Sequence, residues 1–272
     1  MNAVTIGSLM LSVDRLVALA GIVAFLVVTT IAARKSGDGL ARWSTTGLVF
    51  GIAAARTAHV VMHWSTFADD PWRALAVWQG GFFWPAGVIA ALLLLVLQVK
   101  ETRGRIAGLA GVAVGVFVWN AASLLTSGVD PVPLPGNALQ TLSGQSIALP
   151  ELAGKPMVIN LWATWCPPCR REMPMMAEVA AANDDVTFVF ANQGENAPRI
   201  RIYLSREGLL LPNVLMDNFG ELSRHYKAPG LPATLFIGAD GRLVDIHLGE
   251  ISREGMLNKI EALPRDGVAL MN

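Results

Sequence analysis

Two hydrophobic rhythms divide this chain. The first half carries four long apolar runs, Leu16 to Ala33, Thr46 to Met62, Phe82 to Val99 and Ile106 to Thr126, each near the roughly 17–25 residues that cross a bilayer as helix. They predict four transmembrane helices. The second run contains Arg56 and His59, and a charge at mid-bilayer costs at least about 2.5 kcal/mol on insertion scales, so neighbours must shield it. In the second half the runs shorten and alternate. Lys155 to Ala163, Val186 to Ala191, Asn213 to Met216, Thr234 to Ile237 and Leu243 to His247 read as strands, and 167–182, 199–207, 219–226 and 252–263 as helices. Strands alternating with helices predict an α/β layer fold.

The expected fold is thus an α-helical four-helix transmembrane domain over 1–129 followed by an α/β domain over 138–272. Between them Asp130-Pro-Val-Pro-Leu-Pro-Gly136 places proline at every second position, which stops a helix and favours extended polyproline II. Residues 130–137 are read as a short, semi-rigid linker.

Loop charges give an orientation. Arg34, Lys35 and Arg42 follow the first helix and Lys100, Arg103 and Arg105 the third, against a lone Arg73 between the second and third; lysine and arginine are retained on the cytoplasmic side. Four crossings then place the N-terminus and the α/β domain outside, in a periplasmic or extracellular position at a bacterial inner membrane. The opening MNAVTIGSLMLSVD lacks the basic region of a cleaved signal peptide. Trp43, Trp64, Trp72, Trp78 and Trp84 near helix ends or in loops read as interfacial indoles.

Composition agrees: 53% apolar, 15% charged, mean hydropathy +0.47, too apolar for an ordinary soluble globule. Twenty-one basic and twenty-one acidic residues leave a formal net charge of +0, which gives no case for a nucleic-acid partner. The two cysteines are too few for a four-ligand zinc site. His59 and His63 lie four apart without a carboxylate partner in sequence; no metal is expected.

Cys166 and Cys169 stand in Trp162-Ala-Thr-Trp-Cys-Pro-Pro-Cys-Arg-Arg-Glu-Met-Pro174, a CxxC directly after a buried strand and opening a helix. That position sets Cys166 at a helix N-terminus, where unpaired N–H groups favour a thiolate. Cys166 is the candidate nucleophile. Cys169, one turn in and within disulfide reach, is the candidate resolving thiol.

These residues resemble the thioredoxin fold and, within it, the TlpA/ResA/CcmG group of membrane-anchored thiol-disulfide oxidoreductases, over roughly Leu139 to Leu263. The resemblance implies a redox-active Cys166–Cys169 disulfide with no other cofactor, and catalysis of thiol exchange on periplasmic substrate proteins, with cytochrome c biogenesis as a setting. It implies that Pro232 in Gly230-Leu-Pro-Ala-Thr is a cis-proline facing the dithiol, that Leu231 pairs its backbone with substrate, and that Trp165, Pro167 and Pro168 contact substrate beside Cys166. Asn160 stands where thioredoxin has a buried aspartate. Glu195 in Asn192-Gln-Gly-Glu-Asn matches the segment where ResA-like proteins carry a glutamate near the dithiol, a candidate to tune Cys169 against the plainer reading of a surface residue.

The first half is similar to the prolipoprotein diacylglyceryl transferase (Lgt) family through Ala55-Arg56-Thr-Ala-His59-Val and Val77-Trp-Gln-Gly-Gly81. It departs from that family at Phe82-Phe-Trp84-Pro85-Ala-Gly87, where the His-Gly-Gly context of the catalytic histidine is missing. Arg56 is a candidate for an anionic lipid headgroup, with helix–helix contacts as the alternative. The function expected is a membrane-anchored reductase of substrate disulfides. Residues 1–130 hold no cysteine, so a separate electron-donor protein must recharge it. The alternative is a lipid- or lipoprotein-handling membrane protein with an accessory redox domain, in contact with membrane lipids.

Overall fold

A computed structural model describes residues 3–6, 9–36, 38–68, 71–126, 128 and 130–265. The chain divides into a helical unit, Val13–Gly128, and a second unit made of the residues on either side of it.

Ahead of the helices the backbone forms a short antiparallel hairpin, β1 (Ala3–Ile6) with β2 (Leu9–Ser12). The helical unit contains α1 (Val13–Ser36), α2 (Asp38–Met62), the single turn α3 (Trp64–Phe67), α4 (Trp84–Gln98) and α5 (Thr102–Thr126). Helices α1, α2 and α5, at 24, 25 and 25 residues, are long and apolar enough to cross a membrane. The third predicted span is shorter than expected: α4 has 15 residues and rises about 22 Å at ~1.5 Å per residue. Its first turn holds Pro85, and the preceding Gly80 and Gly81 adopt positive φ, so the chain enters α4 from an irregular segment.

Glycines let these helices meet backbone to backbone, as small residues do where lipid removes the hydrophobic drive for association. A Cβ on Gly21 of α1 would stand 2.9 Å from the Gly115 carbonyl of α5, and one on Gly87 of α4 would stand 2.7 Å from the Gly51 carbonyl of α2. An apolar cavity of about 460 Å³ lies among the four long helices, floored by Gly21, Gly51, Gly87 and Gly115 and flanked by Trp84 and Trp119. Trp43 departs from the interfacial expectation. It is fully buried, packs edge-on against Phe25 at 5.6 Å, and satisfies its indole N–H on the Ala91 carbonyl at 2.9 Å. Trp64, Trp72, Trp78 and Trp84 are exposed.

Arg56 is shielded by backbone. Its Nε donates to Ala74 O at 2.9 Å, Nη1 to Gly80 O and Gly81 O at 2.6 and 3.0 Å, and Nη2 to Arg73 O at 2.9 Å. The rings of Phe67 and Phe82 lie within cation–π range. The guanidinium thus ties the α2–α4 connection together.

In the second unit, β3 (Ala138–Thr141), β4 (Ser146–Ala148), β5 (Met157–Trp162), α6 (Pro167–Ala181), β6 (Thr187–Gln193), α7 (Ala197–Glu207), β7 (Val214–Asp217), α8 (Glu221–His225), β8 (Ala233–Ile237), β9 (Leu243–Leu248) and α9 (Arg253–Glu261) follow in order. The seven strands line up as β4-β3-β7-β6-β5-β8-β9. Strands β5, β6 and β7 are parallel neighbours; β8 runs antiparallel to β5, and β9 to β8. Helical crossovers α6 and α7 join the parallel strands. Central β5 is buried on both faces, which explains why its residues are apolar throughout except for Asn160. Met157, Ile159 and Leu161 enter one core, Val158 and Trp162 the other, and alternation places Asn160 on the second side. The β3–β4 hairpin was not among the predicted strands; its Ala-Leu-Gln-Thr and Ser-Ile-Ala segments are too short and polar to stand out.

The proline-rich stretch is part of this unit. Leu134 N–H donates to Gly241 O at 3.0 Å, Val132 O accepts from Leu243 N–H at 2.9 Å, and His225 Nε2 lies 2.7 Å from Pro133 O. Val132 and Leu134 pack on the core. Extended backbone, expected for proline-rich chain, here lines the β8–β9 turn instead of forming a free stalk.

Gly21→Val should overpack α1 against α5 at a typical cost of about 1–3 kcal/mol. Calorimetry of the detergent-solubilised protein should show a lowered transition for the helical unit and an unchanged one for the α/β unit.

Candidate active site

Strand β5 delivers the chain into the turn Ala163-Thr-Trp165, and Cys166 is the N-cap of α6. The first two helical residues, Pro167 and Pro168, have no N–H to leave unpaired. The first amide hydrogen of the helix therefore belongs to Cys169, and it donates to Cys166 Sγ at 3.3 Å. Arg170 N–H closes the first helical bond on Cys166 O at 3.1 Å. The two sulfurs form a disulfide across 5.3 Å of Cα separation. Once reduced, a sulfur at this helix terminus with an N–H aimed at it is better hydrogen-bonded as thiolate than as thiol.

Cys166 is 3% exposed and Cys169 0%, whereas Trp165 is 60% exposed. Pro167 is exposed, Pro168 and Leu231 are half-buried, and Pro232 is buried. The Leu231–Pro232 peptide is cis. Ala233 pairs with Leu161, so the antiparallel register brings Pro232 level with the end of β5 and Leu231 just past it, toward the cysteine turn. Cys166 thus lies beside a partly apolar surface made of Trp165, Pro167, Pro168 and Leu231.

Two buried carboxylates frame the dithiol, and their surroundings differ. Glu195 holds the turn. Its Oε2 accepts from Thr164 N–H at 2.6 Å and Asn192 Nδ2 at 2.9 Å, and its Oε1 accepts from Thr164 Oγ1 at 2.5 Å. Arg199 Nε stands 2.9 Å from the same Oε1. Glu195 is therefore buried and attached two residues ahead of Cys166, a different placement from the surface residue weighed in the sequence.

Glu172 is the residue that sequence reasoning missed. It follows Cys169 by three positions, so both face the same side of α6, and it is 2% exposed. Its Oε1 accepts from Asn160 Nδ2 at 3.0 Å and its Oε2 from Ile251 N–H at 3.1 Å. Burial raises its pKa from 4.5 to about 8; the hydrogen bonds from Ile251 and Asn160 oppose the rise, the nearby Glu250 charge adds to it, and Arg171 counters it. A visible signal existed: Cys169, Glu172, Met173, Met176 and Val179 form one buried helical stripe, and a glutamate on such a stripe is out of place unless it has a task.

Comparisons with known proteins fall into the same two halves. The Redoxin family model matches residues 130–263 and the Prolipoprotein diacylglyceryl transferase model residues 2–122. The thioredoxin-like protein YneN of Bacillus subtilis (strain 168) is 31% identical over 131 residues, covering 47% of this chain and 76% of that protein. The thiol-disulfide oxidoreductase ResA of Bacillus anthracis is 31% identical over 131 residues, covering 46% and 75%. Among solved structures, a secreted Mycobacterium tuberculosis disulfide oxidoreductase described as homologous to E. coli DsbE is 31% identical, with a TM-score of 0.43, covering 47% of this chain and 96% of its own.

The Glu172 geometry sets a pH dependence. Between 4.5 and about 8 the folded chain holds a proton that the unfolded chain has released, so stability falls as pH rises through that window. At 1.36 kcal/mol per unit the cost is on the order of 5 kcal/mol. Glu172→Gln should remove it: denaturant melts should show the variant gaining on the wild type from pH 5 to pH 9, with equal stabilities near pH 4.

Proposed function

We propose, for a chain whose C-terminal half belongs to the redoxin family and is a thiol-disulfide oxidoreductase, that it reduces protein disulfides outside the cytoplasm while anchored by its apolar helices. The observation that carries this reading is the sulfur pair at the head of α6, with the only amide donor of the first turn directed at Cys166 and a buried acid one turn beyond Cys169.

The Cys166 thiolate attacks one sulfur of a substrate disulfide. That S–S bond breaks, a mixed disulfide forms, and the other substrate sulfur leaves as thiolate. Glu172, as carboxylate, takes the Cys169 proton; its shifted pKa of about 8 matches it to a thiol far better than an ordinary carboxylate would be. The Cys169 thiolate then attacks Cys166 Sγ and expels the second substrate sulfur. The substrate gains two electrons and the protein ends with its Cys166–Cys169 disulfide. Glu195 positions the turn that presents Cys166, and Trp165, Pro167, Pro168 and Leu231 receive the substrate chain. A separate protein must supply the electrons, since the membrane half has no thiol.

Reduction as the direction is supported by the two prolines. They withhold two N–H donors from the first turn, so the thiolate is stabilised less than at a complete helix terminus, and a less stabilised reduced form is the stronger reductant. The outer location is supported by the arginines and lysines clustered at residues 34–42 and 100–105, where α1 meets α2 and α4 meets α5.

Cells treated with a membrane-impermeant alkylating reagent should label Cys166 and Cys169 without prior reduction. Labelling only after reduction would overturn the reductase direction, and labelling only after lysis the location. A Cys169→Ser protein should accumulate mixed disulfides through Cys166, which Cys166→Ser should abolish.

A second reading, lipid handling by the membrane half, draws on the diacylglyceryl transferase match over 2–122 and the apolar cavity. Against it, four backbone carbonyls already take the Arg56 donors. Vesicles containing the Cys166→Ser, Cys169→Ser protein and a lipoprotein substrate should show no transfer of diacylglyceryl; transfer would establish this reading.

A further inference from the structure

Asn160 occupies the centre of β5 and is fully buried. Its Nδ2 donates in two directions, to Glu172 Oε1 at 3.0 Å and to Thr234 Oγ1 at 3.2 Å, across the strand pair that sets Asn160 opposite Thr234. Its Oδ1 has no hydrogen-bond partner among the described residues. A buried polar atom left over in this way costs about 1–3 kcal/mol and calls for an explanation.

The arrangement suits an ionised Glu172, which accepts on both oxygens. A protonated Glu172 is different. Oε2 still accepts from Ile251 N–H, so the proton sits on Oε1, where it meets the hydrogens of Asn160 Nδ2, donor against donor. Turning the carboxamide over exchanges its oxygen and nitrogen at nearly the same positions. Oδ1 then receives the Glu172 O–H and also the Thr234 hydroxyl, which donates as readily as it accepts. Each member of the row can reverse: the hydroxyl by rotation, the amide by turning, the acid by its proton.

We infer that Asn160 and Thr234 are positioning residues for Glu172, a buried pair whose hydrogen-bond direction reverses as Glu172 gains or loses its proton and which thereby sets that proton's affinity beside Cys169. The inference rests on the reading of Glu172 as the acid that serves Cys169. Glu172 is also faced by Arg171 on its own helix and, from the segment before α9, by the Ile251 N–H and the Glu250 carboxylate. Arg171 and Glu250 are bonded to each other, so their charges offset and the neutral pair on the sheet is left to discriminate between the two states.

The test uses the full-length reduced protein in detergent and 5,5′-dithiobis(2-nitrobenzoate). The first thionitrobenzoate released reports attack by Cys166; the second reports closure by Cys169. Thr234→Val removes the hydroxyl without changing shape, which leaves an Nδ2 hydrogen unpaired in the ionised state. Asn160→Leu removes the donor outright. Both should move the pH midpoint of the second release upward, by about a unit, a tenfold change in proton affinity, and leave the first release unchanged. Thr234→Ser should restore the wild-type midpoint. Carbon-13 NMR of the Glu172 carboxyl in the Thr234→Val protein should shift in step and does not depend on Asn160→Leu folding. A Glu172→Gln protein distinguishes the two levels. If its second release keeps the wild-type midpoint, the reading of Glu172 fails. If it loses the midpoint while Thr234→Val retains it, the reading of Glu172 stands and this inference is overturned.

Discussion

Everything around the dithiol follows from where the first amide of α6 can point. Two prolines leave the opening turn of the helix with a single early N–H, that of Cys169, and the atom in front of it is Cys166 Sγ. Strand β5 ends four residues before Cys166, buried on both faces and locked between β6 and β8, so the turn has little freedom to present the sulfur elsewhere. Glu195 completes the constraint from the segment just after β6 by holding Thr164 through both backbone and hydroxyl. Helix, sheet and carboxylate thus fix one sulfur from three directions.

The two glutamates show how surroundings assign different work to one side chain. Glu195 is met by amide, hydroxyl and guanidinium donors, which compensate a buried charge and make it a structural tie. Glu172 is met by one amide on each oxygen, with burial as the largest influence on its titration. It is suited to exchange a proton near neutral pH. Nothing in the residue type separates them; the number and kind of donors around each does.

Much of this was legible in the chain. Short apolar runs marked β5, β6 and β8 to within a residue or two, and the CxxC after a buried strand located the site. What escaped depends on contacts between distant segments. Asn160 could be seen standing where a carboxylate was expected, but its replacement by a glutamate from α6 required the helix to be laid on the sheet. Trp43 looked interfacial because it lies near a helix start; Phe25 and the Ala91 carbonyl make its site interior. The proline run had the composition of a free linker, and only the β8–β9 turn beside it supplies the partners that tie it down. Gly21, Gly51, Gly87 and Gly115 were unremarkable as sequence and become the contact points of the helical unit.

Burying an acid whose affinity for protons lies near neutrality has a consequence for the energy that the sulfur pair can deliver. If Glu172 changes its proton occupancy when the disulfide opens, electrons and hydrogen ions enter the domain together, and its driving force follows the acidity of the surrounding compartment. Each hydrogen ion bound per two electrons tilts the couple by about 30 mV for every pH unit. A change in external acidity would then alter which disulfides the domain can open, with no alteration in its shape.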